Sequence, residues 1–168
     1  MSVMYLHGLE GDANGTKGRY CQSAYQATSP QMPASAAELA RDHNVCFEAC
    51  YQVALSAVRA HQPQVIVGSS FGGAITIALT QRGDFTGNVV LLAPAGVKFG
   101  LPAELPAEVK ALIIHDPTDD VVPYTHSQQM LAVNEGRCWL WDASSGHRLH
   151  AITHDGTLDR AVEWVRAH

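Results

Sequence analysis

Residues 65–76 read VIVGSSFGGAIT, two apolar runs joined by a short stretch rich in glycine and serine. Within it Gly68-x-Ser70-x-Gly72 matches G-x-S-x-G, the pattern that sets a serine on a sharp turn between a strand and a helix. Small residues two places before and after the serine let strand and helix approach closely. The helix that follows aims its N-terminus at the hydroxyl, which favours a developing anion. A serine hydroxyl is a poor nucleophile near neutral pH: it needs a base, and the base needs an orienting acid. On a turn of this kind the partners follow in the order Ser, then Asp or Glu, then His. The chain supplies that order as Ser70, then Asp116, Asp119 or Asp120, then His147 in SSGHRLH (144–150). The chemistry implied is acyl transfer through a covalent serine intermediate.

Such residues act only if the fold brings them together. Short, nearly all-apolar runs at 3–6, 64–68, 87–94, 110–116 and 137–143 read as buried strands, and 23–28 reads as a weaker one. Helical spacing of apolar residues marks 44–61, 71–83, 124–134 and 157–168, with Asn44 or Asp42 available to cap the first of these. Strands without polar alternation, interleaved with helices, predict an open, mostly parallel α/β sheet covered by helices on both faces. Ligands in such folds bind beyond the carboxyl ends of the strands. His7-Gly8-Leu9, the serine turn, the acidic segment HDPTDDVVP (115–123) and the His147 loop all follow predicted strands.

At 168 residues the chain fits one domain, 1–168, large enough for its own core. With 46% hydrophobic and 16% charged residues it belongs to the globular class. A net charge of -5 argues against a general nucleic-acid or membrane-surface binder, since both attract basic proteins. No apolar run approaches the roughly 20 residues that span a bilayer, and the N-terminus lacks the pattern of a signal peptide. The expectation is a cytoplasmic protein with no nucleic-acid or membrane partner. Cys21, Cys46, Cys50 and Cys138 are scattered and are read as reduced.

Taken together, YLHGLEG, VIVGSSFGGAIT, IIHDPTDDVVPY and SSGHRLH, in that order, resemble the α/β-hydrolase superfamily from about residue 3 to the C-terminus. The chain looks most similar to the small, lidless bacterial esterases of the YqiA-like kind. The resemblance implies Ser70 as nucleophile and His147 as general base. The superfamily's acid segment, His-Gly-x-x-Asp-x-x-Val-Pro, aligns with His115, Asp119, Val122 and Pro123. It therefore favours Asp119 as the acid, with Asp116, standing where a glycine is usual, second and Asp120 third. It also implies an oxyanion hole made by the backbone N–H groups of Leu9 and Phe71, a structural role for His7, and elbow packing for Ser69 and Gly73. The segment 95–109 is too short for a helical lid domain, so the expected pocket is shallow and open.

The function implied is a serine hydrolase of small or short-chain carboxylic esters, with thioesters also in reach and no metal or cofactor required. Two other readings compete. His147, His150 and His154 have a spacing that would ligate a metal if helical. A non-catalytic binding protein on the same fold is the other. The polar, glycine-rich loop 11–20 reads first as a solvated loop; the alternative is that, lying beside the expected oxyanion hole, it brings Lys17 or Arg19 to a substrate carboxylate or phosphate. Oligomeric state is not written in the sequence.

Overall fold

A computed structural model describes residues 1–9 and 11–168. Five strands form one parallel sheet in chain order: β1 (Val3–Leu6), β2 (Val65–Ser69), β3 (Asn88–Leu92), β4 (Ala111–His115) and β5 (Cys138–Asp142). Each strand pairs with its predecessor in parallel register, as in Val3 with Val65 and Ala111 with Cys138. No helix among the described residues is long and apolar enough to cross a membrane.

Strand residues alternate between the two faces, so two separate apolar clusters form, one on each side. On one side Met4, Leu6, Ile66, Val89, Leu91 and Ile113 pack under α3 (His43–His61), α4 (Phe71–Gln81) and α5 (Tyr124–Val133). On the other Val3, Tyr5, Val67, Val90, Leu92 and Ile114 pack under α1 (Thr16–Tyr25) and α6 (Thr157–Ala167). Helix α6 brings Leu158, Ala161, Val162 and Val165 to the sheet at i, i+3, i+4 and i+7, the spacing of one helical face. Helix α4 is buried from Phe71 to Thr80, which is why its sequence is apolar all round. The short α2 (Ala36–Arg41) starts at a capping Ser35, whose hydroxyl accepts from Glu38 N–H, and Asp42 caps α3 by accepting from Val45 N–H at 3.1 Å.

Two local expectations change. The run 23–28 is not a strand: α1 continues to Tyr25, and only Thr28 pairs with β1, as an isolated bridge to Met4. The loop expected at 11–20 ends at Gly15, where α1 begins. No lid is evident: the segment 95–109 contains no helix among the described residues.

Candidate active site

Ser70 follows β2 directly and adopts φ 53°, ψ −112°, a backbone conformation that a residue with a side chain takes only when its surroundings hold it there. The hold is visible on both sides of the residue. Ser70 N–H donates to Leu92 O at 2.8 Å, and Ser70 O accepts from Ala95 N–H at 3.0 Å and from Ala74 N–H at 3.1 Å. The glycines make the turn sterically possible. A Cβ on Gly72 would lie 2.1 Å from Leu6 O of β1, and one on Gly68 would lie 2.3 Å from Thr76 Oγ1 of α4.

His147, in the loop after β5, meets both proposed partners. Its Nε2 is 3.0 Å from Ser70 Oγ and its Nδ1 is 2.7 Å from Asp119 Oδ2. Since a carboxylate only accepts, Nδ1 carries the proton and Nε2 is left to accept from the serine hydroxyl. Asp119 Oδ1 accepts from Val121 N–H at 2.7 Å and Val122 N–H at 2.9 Å. Burial pulls the Asp119 carboxyl upward. The hydrogen bonds from His147 and from the Val122 and Val121 amides outweigh that and hold its pKa below the ordinary value.

The three acids are thus separated by geometry. Asp116 does not meet His147. Its Oδ1 accepts from Thr118 N–H at 2.7 Å and Thr118 Oγ1 at 2.8 Å, while its Oδ2 accepts from Gly146 N–H at 2.6 Å. It braces the loop that carries His147. The Thr118 amide, then the Gly146 amide, lower its pKa. Asp120 is exposed.

His115 was not singled out as a site residue from the sequence, yet it is the second histidine on Asp119. Its Nε2 lies 3.0 Å from Asp119 Oδ2 and 3.1 Å from Val122 O, so Nε2 carries the proton; its Nδ1 accepts from Ser127 Oγ at 2.7 Å. Burial lowers its pKa despite the neighbouring carboxylate. Its position ahead of the acid in HDPTD was the available signal.

His7 is buried and fixes the first loop. Its Nε2 accepts from Met32 N–H at 2.8 Å, so Nδ1 donates to Gly8 O, also at 2.8 Å. Gly11 N–H donates to the same oxygen at 3.0 Å. In a trans peptide the C=O and N–H point opposite ways, so clamping Gly8 O also fixes the direction of the Leu9 N–H. Phe71 N–H belongs to the first turn of α4 and has no carbonyl of its own helix to meet. Gly8 sits between these elements: a Cβ there would be 3.4 Å from Ser70 Cβ and 4.0 Å from Phe71 N.

Gly8, Leu9, Ser70 and His147 line a cavity of about 690 Å³, within the usual range for small-molecule sites. One wall is Ala95, Lys98 and Phe99 from the segment after β3; Lys98 Nζ reaches across to Val121 O at 2.8 Å. Lys17 lines the cavity and Arg19 does not. The helical face needed for a metal site at His147, His150 and His154 does not form, because Leu149 has φ 49° and His150–Thr153 is a 3₁₀ turn. Among the described residues no cluster of three His, Cys, Asp or Glu side chains is placed to hold a metal ion.

The model of the Uncharacterised protein family (UPF0227) matches residues 2–101, a stretch that includes Leu9, Ser70 and Phe71 and ends before Asp119 and His147. Among solved structures, a candidate hydrolase of the alpha/beta superfamily from Xanthomonas campestris pv. campestris is similar at TM-score 0.76 and 21% identity, over 99% of this chain and 98% of that one. Est1E from Butyrivibrio proteoclasticus gives 0.73 at 15% identity, over 99% and 88% of the two chains. The esterase domain of a Rhodothermus marinus protein gives 0.65 at 14%, over 99% and 86%. At these identities the likeness is one of fold: an α/β-hydrolase fold. No functionally curated protein matches the chain.

Proposed function

The chain belongs to the Uncharacterised protein family (UPF0227), and for this member we propose a serine hydrolase that cleaves small carboxylic esters or thioesters through Ser70, His147 and Asp119. One observation carries the reading. A single imidazole lies 3.0 Å from the hydroxyl of a serine on a strained turn and 2.7 Å from a carboxylate held by two amides.

In the proposed reaction, Ser70 Oγ attacks the acyl carbon as its proton passes to His147 Nε2. The carbonyl oxygen becomes an oxyanion in reach of the Leu9 and Phe71 N–H groups; each such donor contributes roughly 3 kcal/mol to transition-state stabilisation. Asp119 keeps Nδ1 protonated and faces the imidazolium that forms. His147 then gives its proton to the departing alkoxide or thiolate as the tetrahedral carbon collapses to the acyl-enzyme. Water attacks that ester with the same imidazole as base and regenerates Ser70. No redox or metal step enters.

The test is labelling with a fluorophosphonate. The wild type is expected to label stoichiometrically, and Ser70→Ala and His147→Ala to lose labelling while remaining folded by circular dichroism. A well-folded wild type that does not label removes the proposal and leaves a binding protein on a hydrolase fold.

A further inference from the structure

Among the described residues lining the cleft, cations outnumber acids. The protein is acidic overall, at -5, yet Lys17, Lys98 and Arg148 all line the cavity that holds Ser70, and Asp12 is the one acid among the described lining residues. Away from the cleft, Arg41, Arg59, Arg82 and Arg137 each meet a carboxylate, while Arg19, Arg160 and Arg166 form no ion pair among the described residues. Lys17 and Arg148 have no ion-pair partner among the described residues. Asp12 is engaged locally, its Oδ1 accepting from Asn14 N–H at 2.7 Å. Lys98 is tied to the Val121 carbonyl.

Lys17 is also costly where it stands. It occupies the first turn of α1, where a cation opposes the helix dipole. It is half-buried, and burial first, then the Arg148 charge, lowers its pKa. Half-buried Lys17 and exposed Arg148 line the same cavity as Ser70 and neither is ion-paired among the described residues, so with Asp12 the one acid in that lining the two cations leave a place for an anion of the ligand.

We propose that Lys17 and Arg148 form an anion subsite, and that the ester or thioester turned over at Ser70 carries a carboxylate or phosphate that they bind. The substrate assignment rests on the hydrolase reading above; the anion subsite itself does not. Arg148 follows His147 in sequence, so the loop that places the proposed base also places half of this subsite.

Two matched substrate pairs test the idea and separate the sources of charge. One is the 4-nitrophenyl monoester of adipic acid against 4-nitrophenyl heptanoate, with a carboxylate on the acyl side. The other is S-butyryl 4′-phosphopantetheine against S-butyryl pantetheine, with a phosphate on the leaving group. The readout is the ratio of kcat/KM, charged over neutral. The wild type is expected to favour the charged member of at least one pair by about tenfold or more, as charge-assisted hydrogen bonds allow. The ratio should fall toward unity in Lys17→Gln/Arg148→Gln, be retained in Lys17→Arg/Arg148→Lys, and shrink at high salt. A wild-type ratio at or below one for both pairs, or a ratio unchanged in the double glutamine variant, overturns the subsite.

If the wild type hydrolyses neither pair, the substrate assignment has failed, and if it also leaves a fluorophosphonate unreacted the hydrolase reading has failed with it. The subsite is then judged by titrating the folded wild type with adipate and with inorganic phosphate while following the Lys17 and Arg148 backbone amides by NMR. Saturable shifts that vanish in the double glutamine variant uphold it; no shifts overturn it.

Discussion

His115 Nε2 and Asp119 Oδ2 lie 3.0 Å apart in a pocket closed to solvent, and that same oxygen accepts from His147 Nδ1 at 2.7 Å. One carboxylate oxygen therefore receives two imidazole N–H groups, and its partner oxygen receives two amides. Such an oxygen has little freedom to rotate away from His147. The proposed base is oriented by an acid that three other groups, His115 and the Val121 and Val122 amides, hold in place.

Asp119→Asn should lower kcat for a 4-nitrophenyl ester by on the order of a thousandfold to ten-thousandfold. An amide in place of Oδ2 offers N–H to N–H and favours the wrong tautomer of His147. Asp116→Asn should cost roughly tenfold, because the amide keeps one oxygen for the two Thr118 donors but turns its NH2 toward Gly146 N–H and loses that brace, without touching His147 itself. Steady-state kinetics on both variants checks the order. An Asp116 effect as large as that of Asp119 would contradict the assignment.

Folding stability should depend on pH through His115. Its folded pKa is lowered by burial, so below the unfolded value of about 6.5 the unfolded chain takes up a proton that the folded chain resists. The stabilisation is fully present above that pH and is lost as the pH falls from there. Urea titrations of wild type and His115→Gln from about pH 7.5 to 5 should show a flatter profile for the variant. Asp119 and Asp116, with lowered pKa values, add a second loss that begins only below the ordinary carboxylate value of about 3.9.

Gly72→Ala should destabilise by about 1–3 kcal/mol in urea denaturation, since a methyl group 2.1 Å from Leu6 O forces α4 away from β1. The same displacement moves Phe71 N–H relative to Leu9, so the rate of fluorophosphonate labelling should fall as well.

Ser70→Gly should be more stable than Ser70→Ala by about 1 kcal/mol, because glycine relieves the strain of φ 53° and alanine keeps it. Neither variant should react with a fluorophosphonate. Equal stability of the two would mean that the turn is not strained.

The strands and the long helices were legible because buried β-branched runs and helical apolar spacing are local signals. The run 23–28 misled because its outcome is decided from afar. Tyr20 and Tyr25 both donate to Asp159 of α6, so α1 is fastened by a partner that the local sequence does not reveal. The order Ser70, acid, His147 was readable, but spacing alone could not choose among three acids. That choice is made by a turn in which Asp119 N–H donates to Asp116 O at 3.0 Å, turning one carboxylate toward the Gly146 amide and the other toward His147. Arg148 gave no signal of its own, because its neighbours in the cleft come from other strand ends.

Strand order equals chain order across the whole sheet, and this bears on how the protein is made. A chain emerging from the ribosome can add each strand to the exposed edge of the one before it. Ser70 is not clamped until β3 has joined, because its amide and carbonyl are held by Leu92 and Ala95. The imidazole comes later still, beyond β5. A chain that has reached only β3 would therefore carry a shaped serine turn with no imidazole beside it, and the proposed reactivity would appear only once the loop after β5 has folded against it.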